Sequence, residues 1–262
     1  CRDLREPALS ATTVTVLGSA DTFNAGGRGN ACYLVEDAEG AFCVDFGPTA
    51  LMALKTRGFD PNDLDAVFLT HLHGDHFGGL QQLFIDAQHA SHRRRPLTIG
   101  GPVGTAKRIE AWYRLAYGHA ADRRTYATRY LEWAPGDVGL AVGRRIRTFR
   151  AAHMKPKDGA LCLRIKSGQV VLAFSGDTGW TEQLPELAKG ADLFVCECTD
   201  DKNSQQTHLS WEELAPRFAL LDARRILLTH LSESMRRKQK QLAAPRVQFA
   251  EDGMVVRLRA RG

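Results

Sequence analysis

The sequence predicts an α/β fold in which β-sheets are covered by outer helices. Strand-like runs fill the N-terminal third, helices and strands alternate through the middle, and a β/α/β order returns near the C-terminus. The chain has 262 residues and is 44% apolar, which is ample for a large buried core. No linker, low-complexity tract or fixed-period repeat interrupts it, so we predict one domain over residues 1–262.

The N-terminal third has the pattern of a β-meander. Residues 12–17 are rich in β-branched side chains and end at Gly18, and residues 31–35 and 41–45 form two more apolar runs. A Gly-rich loop over residues 25–30 lacks the GxxxxGK[ST] pattern and precedes no helix. It therefore does not predict a nucleotide phosphate site.

Helices and strands alternate through the rest of the chain. Helical spacing or a helix start signal marks five segments, over residues 48–57, 77–86, 103–116, 180–189 and 211–221. The last of these begins with a capping box. Strand-like runs separate the helices, at residues 66–69, 97–99, 131–150, 161–166, 170–174, 193–196 and 225–228.

The segment THLHGDH, residues 70–76, is rich in histidine and directly follows the apolar run at residues 66–69. Alternate side chains of an extended segment share a face, so His71 and His73 can converge on one ion. The turn at Gly74 redirects Asp75 and His76 toward a second ion. This composition predicts a loop that binds metal, with two neighbouring ions.

Three further candidate ligands come from distant parts of the sequence. His153, Asp177 and His230 each lie just beyond an apolar strand-like run. Side chains in that position converge at one rim of a sheet. The recurrence of this placement predicts that all three join the histidine-rich loop in one site.

These motifs resemble those of the metallo-β-lactamase superfamily, and more narrowly its ribonuclease Z-like branch. The resemblance rests on the run HLHGDH, on His153, and on the segments FSGDT at 174–178 and THLS at 229–232. It extends from Gly18 to Leu231.

The resemblance implies a four-layer αββα sandwich with a dinuclear metal site at one edge. It also implies the distribution of the ligands. His71, His73 and His153 would bind one ion, Asp75, His76 and His230 the other, and Asp177 would bridge them.

The same resemblance implies a catalytic pair outside the ligand set. In ribonuclease Z-like proteins a histidine between the bridging aspartate and the last ligand works with a glutamate at the end of the preceding strand; His208 and Glu197 match these positions. His208 would donate to a phosphate oxygen or protonate the leaving alkoxide, and Glu197 would fix its tautomer. Asp75 would orient the attacking hydroxide.

The sequence departs from the transfer-RNA-processing members of the branch in one respect. Those proteins carry a Gly/Pro-rich arm that grips RNA, inserted before the bridging aspartate. Only residues 154–176 separate His153 from Asp177, and two predicted strands occupy most of them. We therefore predict that the arm is absent and that the substrate is smaller than transfer RNA.

These residues together predict an enzyme, a metal-dependent hydrolase. Two neighbouring ions can share a hydroxide that attacks a phosphorus or carbonyl centre. A phosphodiesterase acting on a small or cyclic phosphodiester is the leading hypothesis. The alternatives are an acyl hydrolase of the lactonase, thioesterase or β-lactamase type, and ribonuclease Z-like RNA processing. Zn(II) suits the imidazole and carboxylate ligands best, although Mn(II) or Fe(II) would tolerate them.

The charge of the chain bears on its partners. The formal net charge is +5, and basic groups occur at residues 92–95, 123–124, 144–145 and 236–238. Solvated faces explain each group separately, while together they favour a small anionic substrate. A nucleic-acid ligand is not favoured, since no continuous basic stripe with interleaved aromatics is present. The resemblance allows a homodimer.

Cysteine usage and apolar runs bear on localisation. The six cysteines sit mostly in apolar runs without a CxxC pair, so we expect reduced core residues of a cytoplasmic protein. No run approaches the roughly 18 residues of a membrane span. The alternative, suggested only by Cys1, is an exported lipoprotein whose leader has been removed.

Overall fold

Two seven-stranded mixed sheets organise the part of the chain that the computed structural model describes, residues 11–155, 159–202 and 206–259. The strands are β1 (Thr12–Gly18), β2 (Cys32–Asp37), β3 (Gly40–Val44), β4 (Leu64–Phe68), β5 (Leu97–Pro102), β6 (Thr128–Trp133), β7 (Val138–Ala141), β8 (Arg144–Arg150), β9 (Leu161–Ser167), β10 (Val170–Phe174), β11 (Leu193–Glu197), β12 (Ile226–Thr229), β13 (Val247–Phe249) and β14 (Val255–Leu258).

Each sheet combines an antiparallel half with a parallel half. The first has the order β14-β1-β2-β3-β4-β5-β6, antiparallel up to β3 and parallel from β3 to β6. The second has the order β13-β12-β11-β10-β9-β8-β7, parallel from β13 to β10 and antiparallel from β10 to β7. Polar residues that follow the parallel strands are therefore brought to one edge, as expected for such sheets.

The helices lie on the outer faces of the sheets. The α-helices are α1 (Ala50–Thr56), α2 (Gly74–Phe77), α3 (Leu80–His89), α4 (Thr105–Tyr117), α5 (Leu184–Ala188), α6 (Trp211–Leu214) and α7 (Glu233–Lys238). Short 3-10 helices lie at Ala25–Gly27, Pro61–Asp63, Gly118–Arg123, Ala215–Leu220 and Gln239–Gln241.

Three apolar clusters show how the layers stack. A central cluster packs Phe42 and Phe68 of the first sheet with Leu163 and Phe174 of the second. An outer cluster joins the first sheet to α1, α3 and α4, and another joins the second sheet to α5, α6 and α7. The central strands of each sheet are thus buried on both faces, which explains their nearly continuous apolar runs, whereas β7, β8 and β14 alternate buried and exposed residues. The predicted αββα sandwich is confirmed.

The predicted helix bounds were wrong where proline or glycine interrupts the pattern. The helix predicted over residues 211–221 is α-helical only to Leu214, because Pro216 cannot donate an i→i−4 hydrogen bond and the next turn is 3-10. Pro185 lies in the first turn of α5, which therefore begins four residues later than the predicted start at 180. The helix predicted over residues 77–86 is divided between α2 and α3, with Gly78 and Gly79 between them.

Two arginines of the basic groups are buried and serve the fold. The Arg93 guanidinium donates to the carbonyl oxygens of Leu64 and Pro96, at 2.6 and 2.9 Å. Arg144 is fully buried and pairs with Asp37, joining the second sheet to the end of β2. These two charges are therefore used internally, and the basic composition gives less support to an anionic substrate than the sequence suggested.

The stretch that would hold an RNA-gripping arm is short. β9 and β10 form an antiparallel hairpin that occupies most of the residues between His153 and Asp177. In the described part of this stretch, residues 154–155 and 159–176, no arm protrudes. None of the helices in the described ranges has the length and apolar character of a transmembrane span.

The cysteines behave as the sequence predicted where the structure describes them. They are buried with free thiols, at Cys32, Cys43, Cys162, Cys196 and Cys198. Cys1 lies outside the described residues.

Candidate metal centre

Seven histidine and aspartate side chains meet at one edge of the sandwich. They come from the segments that directly follow β4, β8, β10 and β12, so each is delivered by the end of a buried strand. The four segments are far apart in sequence, and only the pairing and stacking of the strands brings them together. The structure places in this cluster His71, His73, Asp75, His76, His153, Asp177 and His230.

The first group of candidate ligands consists of His71, His73, His153 and Asp177. Their ligand atoms all lie within 4.8 Å of one another. His153 Nε2 is 2.9 Å from His73 Nδ1. Asp177 Oδ2 is 3.7 Å from the Nε2 atoms of both His71 and His153. Three imidazoles and one carboxylate thus face a common point.

The second group consists of Asp75, His76, His230 and the same Asp177. Asp177 Oδ1 lies 3.2 Å from His76 Nε2. His230 Nε2 lies 3.4 Å from Asp75 Oδ2 and 3.5 Å from Asp177 Oδ2. Asp177 is therefore positioned between the two groups, with ring nitrogens of both groups close to its carboxylate.

Two buried ring nitrogens test whether these residues fit divalent metal ions. His71 Nε2 and His76 Nε2 are buried and have no hydrogen-bond partner, although Asp177 oxygens lie nearby. A buried polar atom without a partner is costly and rare. Both atoms belong to groups of imidazoles and carboxylates, the ligand types that divalent transition metals prefer in proteins. The site fits such ions.

The charges within the cluster oppose one another. Burial would raise the pKa of Asp177, but the His230, His76 and His71 rings hold it well below its usual value. Burial would lower the pKa of His230, yet the Asp177 and Asp75 carboxylates raise it to about 9. Burial also lowers the pKa of His71, and the neighbouring His76 adds to that effect. The rings thus favour the ionised form of the Asp177 carboxylate, while the basicity of the rings themselves differs.

Asp45 supports the cluster from behind, and the sequence did not predict its role. Its Oδ2 accepts a hydrogen bond from Nδ1 of His76 at 2.8 Å, and its Oδ1 accepts from the backbone N–H of Thr70 at 2.8 Å. Thr70 Oγ1 in turn lies 3.1 Å from Nδ1 of His71. Asp45 directly follows β3, the same placement that marked the other site residues, so the signal was present in the sequence.

Hydrogen bonds also orient the imidazole rings of His153 and His230, which follow β8 and β12. Nδ1 of His153 donates to the carbonyl oxygen of Thr207 at 3.0 Å, which directs Nε2 toward the cluster. Nδ1 of His230 lies 3.0 Å from Thr199 Oγ1. A partner on one ring nitrogen selects the tautomer and orients the other nitrogen for a ligand.

Removing the Asp45 carboxylate should weaken metal binding without touching a ligand. We expect Asp45→Asn to lower metal affinity or activity about 10- to 100-fold, the range for partners of ligating histidines. Competition with a chromogenic chelator measures the affinity. Asp60→Asn is the matched control, since Asp60 is an exposed residue outside the cluster; equal affinities for the two variants would contradict the role assigned to Asp45.

Glu197 and His208 form a pair beside the cluster, and the catalytic role that the resemblance implies for them stays a prediction. Glu197 is 1% exposed, and its Oε2 accepts hydrogen bonds from Thr199 Oγ1 at 2.8 Å and from the backbone N–H of Leu209 at 3.1 Å. Both of its carboxylate oxygens lie 3.2 Å from Nδ1 of His208. The His208 ring is centred 4.7 Å from that of His153.

The environment keeps the His208 imidazole basic. Burial acts to lower its pKa, but the hydrogen bond and the charge of Glu197 raise it above its usual value. The Nδ1 atom is engaged by Glu197, so Nε2 is the ring nitrogen left to exchange a proton with a ligand. The pair is thus suited to donate a proton next to the metal cluster.

Comparisons with known proteins show the family to which this chain belongs. A family model described as a beta-lactamase superfamily domain matches residues 42–231. A protein named ribonuclease Z from Mycobacterium bovis (strain BCG / Pasteur 1173P2) is 32% identical over 194 residues, which cover 70% of this chain and 68% of that protein.

Two solved structures share the fold over nearly their whole lengths. The metallo-beta-lactamase fold protein YhfI from Bacillus subtilis has a TM-score of 0.77 at 24% identity. The match covers 95% of this chain and 99% of the YhfI chain. The short form of human tRNase Z has a TM-score of 0.73 at 24% identity, covering 93% of this chain and 98% of its own.

Proposed function

This chain belongs to the beta-lactamase superfamily, in its ribonuclease Z-like branch, and from that premise we propose that it is a metal-dependent hydrolase of small phosphodiesters. The observation that carries the proposal is the Glu197–His208 pair beside the histidine and aspartate cluster. A phosphodiester releases an alkoxide that must gain a proton, and His208 is placed to supply one. The relative named ribonuclease Z points to the same bond type.

The metal ions would be held by the two groups of ligands. When bound, they would lower the pKa of water and stabilise negative charge on the reacting phosphate. We propose Zn(II) first because the ligands are imidazoles and carboxylates, with Mn(II) or Fe(II) also compatible. His71, His73 and His153 would hold one ion and Asp75, His76 and His230 the other, with Asp177 between them.

The chain's own residues would then order the reactants and move the proton. Attack of a water oxygen on phosphorus would form one P–O bond and break the bond to the leaving oxygen, and the attacking water would release its proton to solvent. Asp75 would orient the attacking water, since its carboxylate lies at the second ligand group. His208 would give its proton to the leaving oxygen, while Glu197 holds the ring in the correct tautomer.

The size of the substrate follows from what surrounds the site. Where the structure describes residues 154–176, a hairpin of two strands of the second sheet occupies the place of an RNA-gripping arm. A long RNA would lack the contacts that such an arm provides. The proposal is therefore a small or cyclic phosphodiester, rather than RNA processing.

Chelation tests the proposal directly. We expect turnover of bis(p-nitrophenyl) phosphate to stop when a chelator strips the protein and to return when Zn(II) or Mn(II) is added back. The release of p-nitrophenol is followed by absorbance, and chelator already saturated with the same metal serves as the control. A metal-loaded protein that is inert on every phosphodiester tried would overturn the proposal.

A further inference from the structure

An open cavity of about 560 Å³ lies directly beside the proposed proton donor. His208 and His230 form its wall on the side of the metal cluster. Phe23, from the loop between β1 and β2, and three carboxylates form other parts of the wall. Its volume is within the range of small-molecule sites.

The position of His208 identifies which part of a substrate enters this cavity. A general acid must lie within hydrogen-bond reach of the oxygen that it protonates. That oxygen belongs to the leaving group, so the leaving group must extend from phosphorus past His208. The cavity that His208 lines is therefore the leaving-group side of the site.

Phe23 is held at this cavity in an exposed position. Its side chain is 86% exposed, so it contributes little to the core. Its loop is nevertheless fixed, because Asp21 Oδ1 accepts hydrogen bonds from the backbone N–H groups of Phe23 and Ala25, both at 3.2 Å. Arg236 Nη1 also donates to the carbonyl oxygen of Ala25 at 2.7 Å. An exposed aromatic ring on a fixed backbone beside a site offers a face on which a planar group can stack.

Besides the two histidines, three carboxylates line this cavity. Asp21, Asp200 and Glu233 all line it. Asp200 accepts hydrogen bonds from neighbouring serine hydroxyls, and Glu233 pairs with Arg237 at 3.3 Å on the surface. Carboxylates placed this way accept hydrogen bonds from a neutral group and repel an anionic one.

We propose that Phe23 is a specificity-determining residue, and that the cavity selects phosphodiesters with an uncharged, planar, ring-bearing leaving group. This inference rests on the proposed function and adds the class of leaving group to it. The ring of the leaving group stacks on Phe23, and the acidic wall excludes leaving groups that carry a further phosphate or carboxylate. The phosphate being cleaved stays at the metal cluster.

Steady-state kinetics of the metal-loaded protein test this inference. The substrate is methyl p-nitrophenyl phosphate, whose leaving group is a neutral aromatic ring. We expect Phe23→Ala to raise KM about tenfold with little change in kcat, since stacking on one aromatic ring has an effect of this size. Phe23→Trp should restore the KM of the natural protein, because it keeps the aromatic face.

Leu140→Ala is the matched control. Leu140 is 78% exposed on β7, at the far edge of the second sheet, and does not line the cavity. We expect its KM to match that of the natural protein. A second substrate that carries a carboxylate on the nitrophenyl ring should react with a kcat/KM about tenfold lower, and Glu233→Gln should recover part of the loss.

The outcomes separate this inference from the function on which it rests. If the natural protein cleaves methyl p-nitrophenyl phosphate but Phe23→Ala and Leu140→Ala have the same KM, the inference is overturned and the phosphodiesterase proposal stands. If the natural protein is inert on every phosphodiester, both are overturned. Melting curves identify a variant that fails to fold. If Phe23→Ala does not fold, the KM of Phe23→Trp tests the inference instead.

Discussion

Replacing Asp177 with asparagine should remove activity and most metal binding while leaving the fold intact. Asp177 is 3% exposed and is the one side chain that belongs to both groups of candidate ligands. Asparagine has nearly the same size but no charge, and its NH₂ group cannot ligate a metal. We expect kcat/KM to fall by more than about 100-fold, beyond the range of outer partners of ligands.

Thermal unfolding gives a readout that does not depend on catalysis. A ligand that binds only the folded state stabilises it, by about 2.7 kcal/mol at 100 times its Kd. Chelation should therefore lower the Tm of the natural protein clearly and that of Asp177→Asn much less. Asp122→Asn, at a surface ion pair with Arg114, is the control and should behave as the natural protein. Full metal content in Asp177→Asn, measured by atomic spectroscopy, would contradict the bridging position.

A simple physical regularity allowed the sequence to group the candidate ligands. Each ligand lies just beyond the end of a strand, where the chain must emerge at the edge of a sheet. The strands β4, β10 and β12 are buried almost throughout, whereas β8, which precedes His153, alternates buried and exposed residues. His153 and His230 would be ordinary loop histidines if taken alone. Their placement after strands, combined with the resemblance of the motifs, was enough to group them, and the structure brings them together. Their roles as ligands stay predictions.

The contacts that support the ligands could not be predicted in the same way, even where a residue such as Asp45 has the strand-end placement. Asp45 lies 31 positions before its partner His76, and only the parallel pairing of β3 with β4 brings their strand ends together. Thr199 bonds both Glu197 and His230 because three loops meet around it. Such contacts depend on the register of strands and the paths of loops, which periodicity does not give.

Similarly, the spacing of apolar residues did not show that Pro216 would change the last turns of a helix to 3-10 geometry.

The fold alone does not choose between a phosphodiester and an acyl substrate, and His208 provides the test. A dinuclear centre can activate water for either reaction, whereas only a poor leaving group needs a proton from the enzyme. We expect His208→Ala to lower kcat on a phosphodiester with an alkyl leaving group by about 10²- to 10⁴-fold. On bis(p-nitrophenyl) phosphate, whose leaving group departs readily without a proton, the loss should be much smaller.

Glu197→Gln separates proton donation from simple packing. The amide keeps the size of the side chain but removes the charge that holds the pKa of His208 above its usual value. The variant should therefore lose activity on the same alkyl ester and keep the metal content of the natural protein. Its pH profile should also change: with a lower pKa, His208 loses its proton at lower pH, so activity should decline earlier as pH rises.

Equal losses for His208→Ala on good and poor leaving groups, with high activity on lactones, would favour acyl hydrolysis instead.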